Sequence, residues 1–222
     1  MDEDRGPDLY EDLRQAILRG EYPFGSRLKL DEIAKRYGVS HMPVRKALLQ
    51  LVGDKLVTTE RNRGASVRPI DASTVFNIYD VVIPLEALLT RRAAERMSTA
   101  TQQRLADVQR SFERAAKARD GESVADLNRE FHEIIGHEAR NPDASHIVNR
   151  YQELLRAFRR FYGTDFGRMP GVIADHRALL ASFDAGDADG ASAIAAGHAA
   201  KARNDLIAAV RRASTAQQEI PA

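Results

Sequence analysis

Three histidines and one asparagine in the second half of the chain have the residue types that bind a transition metal. Asn128 and His132 are four residues apart, so in a helix they lie on the same face. His176 begins a later helical segment, and His198 lies midway along the last one. Three imidazoles and one amide oxygen meeting inside a helical bundle would suit a divalent ion such as Zn, Ni or Mn, with positions left for water or a ligand. The spacing is equally compatible with ordinary core or surface histidines.

A neighbouring pair of histidines looks like the zinc-protease pattern HExxH but has a different spacing. His132 and His137 are five residues apart rather than four, which separates their side chains by roughly 140° around a helix. One ion cannot bind both without distorting the helix, so we predict that His137 is a surface or packing residue. A metal-dependent hydrolase with an accessory domain is the alternative function. It would need Glu130 or Glu133 as general base, and both lie on other faces of the helix than His132.

A second group of residues, between positions 26 and 69, suits binding to a polyanion. This block contains ten Lys or Arg residues and four acidic residues, a net charge of +6, whereas the whole chain carries +1. Phosphate contacts dominate affinity for nucleic acids, so this uneven distribution favours DNA as the partner of the block. A solvated domain that contacts other proteins is the alternative.

Two helices, a tight turn and a β-hairpin are the elements expected to position these charges. Apolar residues keep helical spacing up to Gly38, and Ser40 is suited to cap a second helix that Gly53 ends. Two short β runs then flank a basic tip at residues 61–64. A helix-turn-helix followed by a basic wing is typical of a DNA reader, and Arg45 lies on the polar face of the second helix.

The remainder of the chain, after Pro69, is predicted to be helical almost throughout. Helical periodicity covers segments 71–97, 101–119, 122–138, 142–162, 172–185 and 187–212. Pro84 lies within the first segment and should kink the helix or split it in two. Six helices with short connections predict an antiparallel bundle.

The expected fold class is therefore mainly α, in two domains. Residues 1–70 form a winged helix-turn-helix with a small β-hairpin, residues 71–213 an all-α antiparallel bundle, and residues 214–222 a flexible tail. No apolar run approaches the roughly 20 residues of a membrane span, and the N-terminus lacks the apolar region of a signal peptide. The absence of cysteine fits a reducing compartment. These features predict a cytoplasmic protein without a membrane partner.

The first domain resembles the winged helix of the GntR superfamily of bacterial transcription regulators. Residues 39–48, VSHMPVRKAL, are similar to the family run VSRTPVREAL, and the resemblance covers roughly residues 8–70. It implies binding to double-stranded operator DNA, and the small footprint of one winged helix implies a homodimer on a two-fold symmetric site. The DNA-contacting positions are expected to be Arg27, Ser40, His41, Met42, Arg45, Lys46, Arg61, Arg63 and Gly64.

Two of these positions depart from the family pattern. His41 stands where the family usually has Arg, and Lys46 replaces the usual Glu. A histidine has a shorter reach than an arginine and is only partly charged near pH 7, so the bidentate contact of Arg with guanine does not carry over. We expect an operator that differs from the family's usual one, with Arg45 as the best candidate for a base or phosphate contact.

The helical half resembles the FCD domain, the ligand-binding domain of the FadR subfamily. The matching pieces are NREFH at 128–132, NP at 141–142, DHRALL at 175–180, and GD at 186–187 followed by His198. The resemblance covers roughly residues 72–212. It implies that Asn128, His132, His176 and His198 hold a divalent metal, and that a small-molecule effector binds beside it. It also implies a regulator rather than an enzyme, with repression and effector-induced release as its mode.

The chemistry expected of the effector follows from charge. An Asp at position 128 would cancel part of the charge of the metal ion, whereas Asn128 is neutral. The ion therefore keeps its full positive charge, which favours a carboxylate effector. The family pattern commonly places an Arg before the pair Leu85-Glu86, and this chain has Val81-Val82-Ile83-Pro84 there. A carboxylate effector would then rely more on the metal or on another cation in the pocket, such as Arg156 or Arg159. An effector that is less acidic than usual is the alternative.

Overall fold

The computed structural model describes residues 8–60, 64–163 and 165–218. Arg61 and Arg63, two of the expected DNA contacts, lie outside these ranges. The described residues form two compact units that divide between Ile70 and Asp71.

The first unit contains three helices and a small sheet. Its elements are α1 (Leu9–Leu18), β1 (Arg27–Leu28), α2 (Leu30–Tyr37), α3 (His41–Gly53), β2 (Val57–Glu60) and β3 (Gly64–Val67). β3 is the central strand of an antiparallel sheet in the order β1-β3-β2, and Ser66 on β3 pairs with both Arg27 and Thr58. The short strand β1 was not expected from the sequence.

The turn between α2 and α3 is built around Gly38. This residue ends α2 with a φ of 66°, in the left-handed region that glycine adopts without steric cost. Ser40 occupies the N-cap position of α3, although its side chain accepts no capping hydrogen bond. Ile33 of α2 and Val44 and Leu51 of α3 are buried, so a shared core fixes the angle between the two helices.

The second unit is helical in all its described elements. These are α4 (Ala72–Ala94), α5 (Thr99–Ala118), α6 (Gly121–Glu138), α7 (Pro142–Tyr162), a 3₁₀ turn (Phe166–Arg168), α8 (Met169–Asp184) and α9 (Ala188–Gln218). Helix α9 continues through part of the segment that we expected to be a flexible tail. Asp71, Ser98, Asp120 and Asn141 each accept a hydrogen bond at the start of the helix that follows.

Helix α4 is continuous through Pro84, so the helix is not split there, while the other expected outcome, a kink, stays a prediction. Pro84 lies on the exposed side of the helix. The carbonyl one turn earlier, which loses its N–H partner to the proline, therefore faces water and needs no other partner in the protein. The opposite side of α4 packs on α9, α6 and α7 and buries Val75, Tyr79 and Val82.

Helix α4 is also long and apolar enough to cross a bilayer by length and composition alone, with a mean hydropathy of 1.4. It is the only such helix in the described parts of the chain, whereas the sequence analysis expected no apolar segment of that length. Its buried side belongs to the core of the unit. Part of its apolar character lies on the exposed side, where Val81 and Leu88 are each 40% exposed.

Candidate functional site

The three histidines expected to bind metal come together from three helices. His132 lies on α6, His176 on α8 and His198 on α9, and their candidate ligand atoms all lie within 4.8 Å of one another. The ring centroids are 5.5 Å apart for His132 and His176, 5.4 Å for His132 and His198, and 5.1 Å for His176 and His198. Such a triangle of imidazoles is within reach of a single ion.

His176 is held with one ring nitrogen unused. Its Nδ1 lies 2.8 Å from Oε1 of Gln109, and its ring stacks on Phe131 at a centroid distance of 4.2 Å. Since the amide oxygen can only accept, Nδ1 carries the proton and Nε2 keeps its lone pair. Nε2 is buried and has no hydrogen-bond partner among the described groups. An orphaned, buried lone pair facing two other imidazoles is what a metal ligand requires.

His198 has an outer partner as well. Its Nδ1 lies 3.2 Å from Oδ2 of Asp175, and Lys201 donates to the other carboxylate oxygen at 2.6 Å. A carboxylate behind an imidazole fixes the tautomer and makes the far nitrogen a better ligand. This arrangement leaves Nε2 of His198 for the ion.

Burial keeps the three histidines neutral. It lowers the pKa of His132 to about 3, helped by the positive charges that His198, Arg159 and Arg156 would present to a protonated ring. Burial likewise lowers the pKa of His176 well below its usual value, and that of His198 to a smaller extent because Asp175 opposes the shift. Neutral imidazole is the form that binds a metal, so the residues present fit a divalent ion.

Asn128, the fourth expected ligand, lies one turn before His132 on α6 and is partly buried. Helix geometry places the two residues on the same face. A neutral amide oxygen beside three neutral imidazoles gives a donor set without negative charge.

Cations surround the histidine cluster. Arg156 and Arg159 lie on α7, and their charges reach His132. Arg168, on the 3₁₀ turn, lowers the pKa of His176 and His198 and lies with its Nε 3.3 Å from Oδ2 of Asp205. These charges give this part of the interior a positive potential.

Arg159 has donor capacity left over. Its guanidinium donates to the hydroxyl of Tyr79, which is fully buried on α4. Its Nε is buried and finds no acceptor among the described residues. A partly buried guanidinium with an unused, buried donor is suited to receive an anionic ligand.

A buried carboxyl group lies near the same arginine. Glu86 on α4 is 8% exposed and accepts a hydrogen bond of 2.6 Å from Nε2 of Gln152. Burial raises the pKa of Glu86 to about 7, although Gln152 and the charge of Arg159 both favour the ionised form.

The expected DNA-contacting residues are exposed wherever the structure describes them: Arg27, Ser40, His41, Met42, Arg45, Lys46 and Gly64. Met42 is 72% exposed at the start of α3, an unusual environment for a large apolar side chain. The α2–α3 turn also borders an open groove of about 700 Å³ that includes Ser40, His41 and Met42. The start of α3 therefore presents a continuous surface to a partner.

His41 has a contact that the sequence did not predict. Its Nε2 lies 2.9 Å from Oδ1 of Asp31 on α2, and both side chains are exposed. The contact gives His41 an acidic neighbour at the surface expected to face phosphate.

Several residues of the site were missed by sequence reasoning. Asp175 precedes His176 directly, so its role behind His198 had a signal in the fragment DHRALL. Gln109, Tyr79 and Arg168 had none, because they lie on other helices or in an irregular segment. Only the tertiary fold brings Gln109 and Arg168 to the histidines and Tyr79 to Arg159.

Comparisons with known proteins give concordant results for both units. Residues 7–67 match the family described as bacterial regulatory proteins, gntR family, and residues 77–201 match the FCD domain. The HTH-type transcriptional regulator YdhC of Bacillus subtilis (strain 168) is 26% identical over 176 residues, covering 78% of this chain and 77% of that protein. The galactonate operon transcriptional repressor of Escherichia coli (strain K12) is 26% identical over 201 residues, covering 81% and 86%.

The solved structure of E. coli McbR/YncC has a similar fold. It superposes with a TM-score of 0.69 at 21% sequence identity and covers 93% of this chain and 96% of its own. A putative transcriptional regulator GntR from Rhodococcus sp. RHA1 gives the same TM-score at 19% identity, over 93% and 99% of the two chains.

Proposed function

The chain belongs to the GntR family of bacterial transcriptional regulators with an FCD domain, and from this premise we propose that it is a homodimeric repressor. An anionic small molecule, bound beside a divalent metal in the helical unit, would release it from operator DNA in the cytoplasm. Family membership also decides between the two functions left open by the sequence. Since the family and its relatives are regulators, the hydrolase alternative is wrong.

One observation carries the proposal for the effector site: the orphaned Nε2 of His176 faces two further neutral histidines, and the charges of nearby arginines act on the cluster. His132, His176, His198 and Asn128 would hold the ion, which supplies a Lewis-acidic centre for an anionic ligand. Arg159 would pair with the same ligand through its unused Nε. Arg156 and Arg168 would add to the favourable potential.

The metal and arginines together favour a carboxylate effector. Three neutral imidazoles and a neutral amide leave the charge of the ion uncompensated. The nearby acids Asp175 and Asp205 are each paired with a cation, Lys201 and Arg168, so they do not offset the charges of Arg156 and Arg159 at His132. A carboxylate would satisfy both kinds of cation without a further partner.

DNA binding would use the exposed face of α3 and the wing. Arg45 and Lys46 would contact base edges or phosphates, while Ser40 and His41 lie at the N-terminus of α3, where backbone N–H groups favour phosphate. Arg27 and Gly64 would approach the backbone from the sheet. Repression is carried over from relatives named as repressors, such as the galactonate operon repressor.

Control by the effector requires that it bind two states of the protein with different affinities. A ligand that binds the DNA-free dimer 100-fold more tightly lowers DNA affinity by the same factor, about 2.7 kcal/mol. By the same linkage, operator DNA must weaken effector binding by the factor by which the effector weakens DNA binding.

The first experiment is metal analysis of protein purified without a metal-affinity tag. We expect about one transition metal per chain in the wild type and none in the His132→Ala, His176→Ala double variant. The matched control is His137→Ala, His146→Ala, since both of these histidines are exposed. Metal content that is equal in the two double variants would contradict the site.

DNA binding is tested by a separate experiment. An operator is selected from random DNA duplexes, and the affinity of the wild-type protein for it is measured.

A further inference from the structure

Met42 lies at the centre of the outer face of α3. Val44 and Leu51 mark the buried side of this helix, and a turn of about 100° per residue places Met42 opposite them. The exposed Arg45 and Lys46 follow on the next turn, one on either side of Met42. The side chain of Met42 is 72% exposed, so it adds nothing to the core of the unit. It offers an apolar, flexible contact to whatever binds this face.

The imidazole of the preceding residue, His41, is oriented by an acid on the neighbouring helix. Nε2 of His41 lies 2.9 Å from Oδ1 of Asp31, in the first turn of α2. A carboxylate only accepts hydrogen bonds, so in the neutral ring the proton is on Nε2 and Nδ1 keeps its lone pair. Nδ1 is therefore an acceptor, whereas the arginine of the family pattern at this position can only donate.

An acceptor beside an apolar side chain complements one kind of base pair. In the major groove adenine presents an amino donor at N6, and its partner thymine presents a methyl group at C5. Cytosine also presents an amino donor, but the G·C pair has no methyl group. Guanine presents the acceptors O6 and N7, which an imidazole lone pair would leave without a partner.

We propose that His41 and Met42 together read an A·T pair in the operator, at the place where an arginine would read guanine, and that Asp31 is a positioning residue for this contact. The inference rests on the DNA binding of the proposed function and assigns part of the sequence that α3 selects. Asp31 and Lys35 line the open groove beside these two residues. Lys35 lies one turn after Asp31 on α2, so its charge offsets that of the carboxylate toward the phosphates.

Operator selection is the first test. Wild type and His41→Arg are each used to select from random duplexes at pH 8, which favours the neutral ring. At one position the wild type should select A·T where His41→Arg selects G·C, because the arginine fork pairs with O6 and N7 of guanine. Selection of the same sequence by both proteins would overturn the proposal. If neither protein enriches any sequence, the DNA binding of the proposed function fails as well.

Uracil in place of thymine at that position removes only the methyl group and so tests Met42. We expect the affinity of the wild type to fall about fourfold, the effect of one buried methyl-sized group. Met42→Ala should bind the two duplexes equally. The matched control is Leu49→Ala on the same face of α3, where Leu49 is 69% exposed, and it should keep the wild-type preference for thymine. Equal binding of both duplexes by the wild type would exclude the methyl contact.

The ratio of affinities for duplexes with A·T and with G·C at that position measures the role of Asp31. An asparagine can turn either its oxygen or its amino group toward Nε2, so Asp31→Asn should lower the ratio by at least about fivefold. Glu32→Gln removes the same charge one residue on, from an acid that pairs with Lys29, and should leave the ratio unchanged. An equal ratio in the two variants would mean that Asp31 acts through its charge alone, against the proposed positioning role.

Discussion

Nδ1 of His176 lies 2.8 Å from Oε1 of Gln109, and both side chains are buried in the helical unit. The amide of Gln109 is itself oriented, since its Nε2 donates to Glu113 at 2.9 Å and Glu113 is bound by Arg177. A chain of contacts from the surface thus fixes which nitrogen of His176 carries the proton.

Replacing Gln109 should weaken metal binding even though it is not itself a ligand. We expect Gln109→Ala to reduce metal affinity by about 10–100-fold, the usual cost of losing an outer hydrogen bond to a ligating histidine. Gln103→Ala on the same helix, where the side chain is exposed, is the control. Competition with a chromophoric chelator measures both, and equal affinities would show that Gln109 does not orient the ligand.

Metal binding should release few protons near neutral pH. The pKa of His132 is about 3 and those of His176 and His198 are lowered, so all three rings are already neutral well below pH 7. Histidines with an ordinary pKa near 6.5 would release protons when the metal binds near that pH, and their metal affinity would fall as the pH is lowered through it. We therefore expect nearly constant affinity from pH 6 to 8. Titration calorimetry in two buffers of different ionisation enthalpy counts the protons, and release of one or more at pH 6.5 would contradict the expectation.

Glu86→Gln should stabilise the protein, and more so at higher pH. The pKa of Glu86 rises from its usual 4.5 to about 7 in the folded state, so the folded protein binds a proton that the unfolded chain has lost. Stability contributed by the protonated group is complete below about pH 4.5 and is lost as pH rises through 7. At about 1.4 kcal/mol for each unit of pKa, the wild type loses about 3 kcal/mol that the variant keeps.

Urea unfolding at pH 5 and pH 8 tests this dependence. The Gln side chain can still accept the hydrogen bond from Gln152, so the comparison isolates the charge. As a control, Glu133→Gln changes an exposed acid, and its effect should not vary with pH. A difference between wild type and Glu86→Gln that is constant with pH would mean that Glu86 titrates normally.

Arg45→Ala should weaken operator binding by about 1–3 kcal/mol if Arg45 reads a base. Lys46→Ala, one residue on, should instead reduce the slope of log affinity against log salt by about 0.9 if it contacts a phosphate. Fluorescence anisotropy with a selected operator at several salt concentrations separates the two roles. Arg104→Ala, on the exposed surface of α5, should leave both quantities unchanged, and a loss there would indicate a general charge effect.

Asn128→Asp should bind metal more tightly and effector more weakly. The added carboxylate attracts the ion but cancels one positive charge that an anionic effector would use, and we expect changes of about tenfold in opposite directions. Calorimetry with the metal, followed by thermal shift with a panel of small carboxylates, measures both. Tighter effector binding in the variant would exclude charge as the basis of selection.

The histidine cluster shows how far sequence reasoning reaches. His132, His176 and His198 could be selected because their residue type is rare and the FCD resemblance gave their positions. Gln109 and Arg168 could not, because glutamine and arginine are common on solvated helix faces and nothing local distinguishes a buried one. Helix bounds were predictable within a few residues since breakers such as Asn141-Pro142 coincide with caps.

The absence of a split at Pro84 has a specific physical origin. The rule that proline breaks helices counts the backbone hydrogen bond that proline removes, but not whether the freed carbonyl is solvated. A carbonyl that faces water forms a hydrogen bond with water instead, so the loss of stability is small. Which side of α4 is solvated depends on packing against α9, which no local pattern encodes.

An unbroken α4 has a mechanical consequence. With 23 residues, it is a rod of about 34 Å, and it begins at the residue boundary where the DNA-reading unit ends. Tyr79 and Glu86 connect its inner side to Arg159 and Gln152. A tilt of only about 5° would displace one end of the rod by about 3 Å, close to the 3.4 Å rise between successive bases. A change too small to alter the packing of the core would thus displace an end of α4 by about the spacing of successive bases.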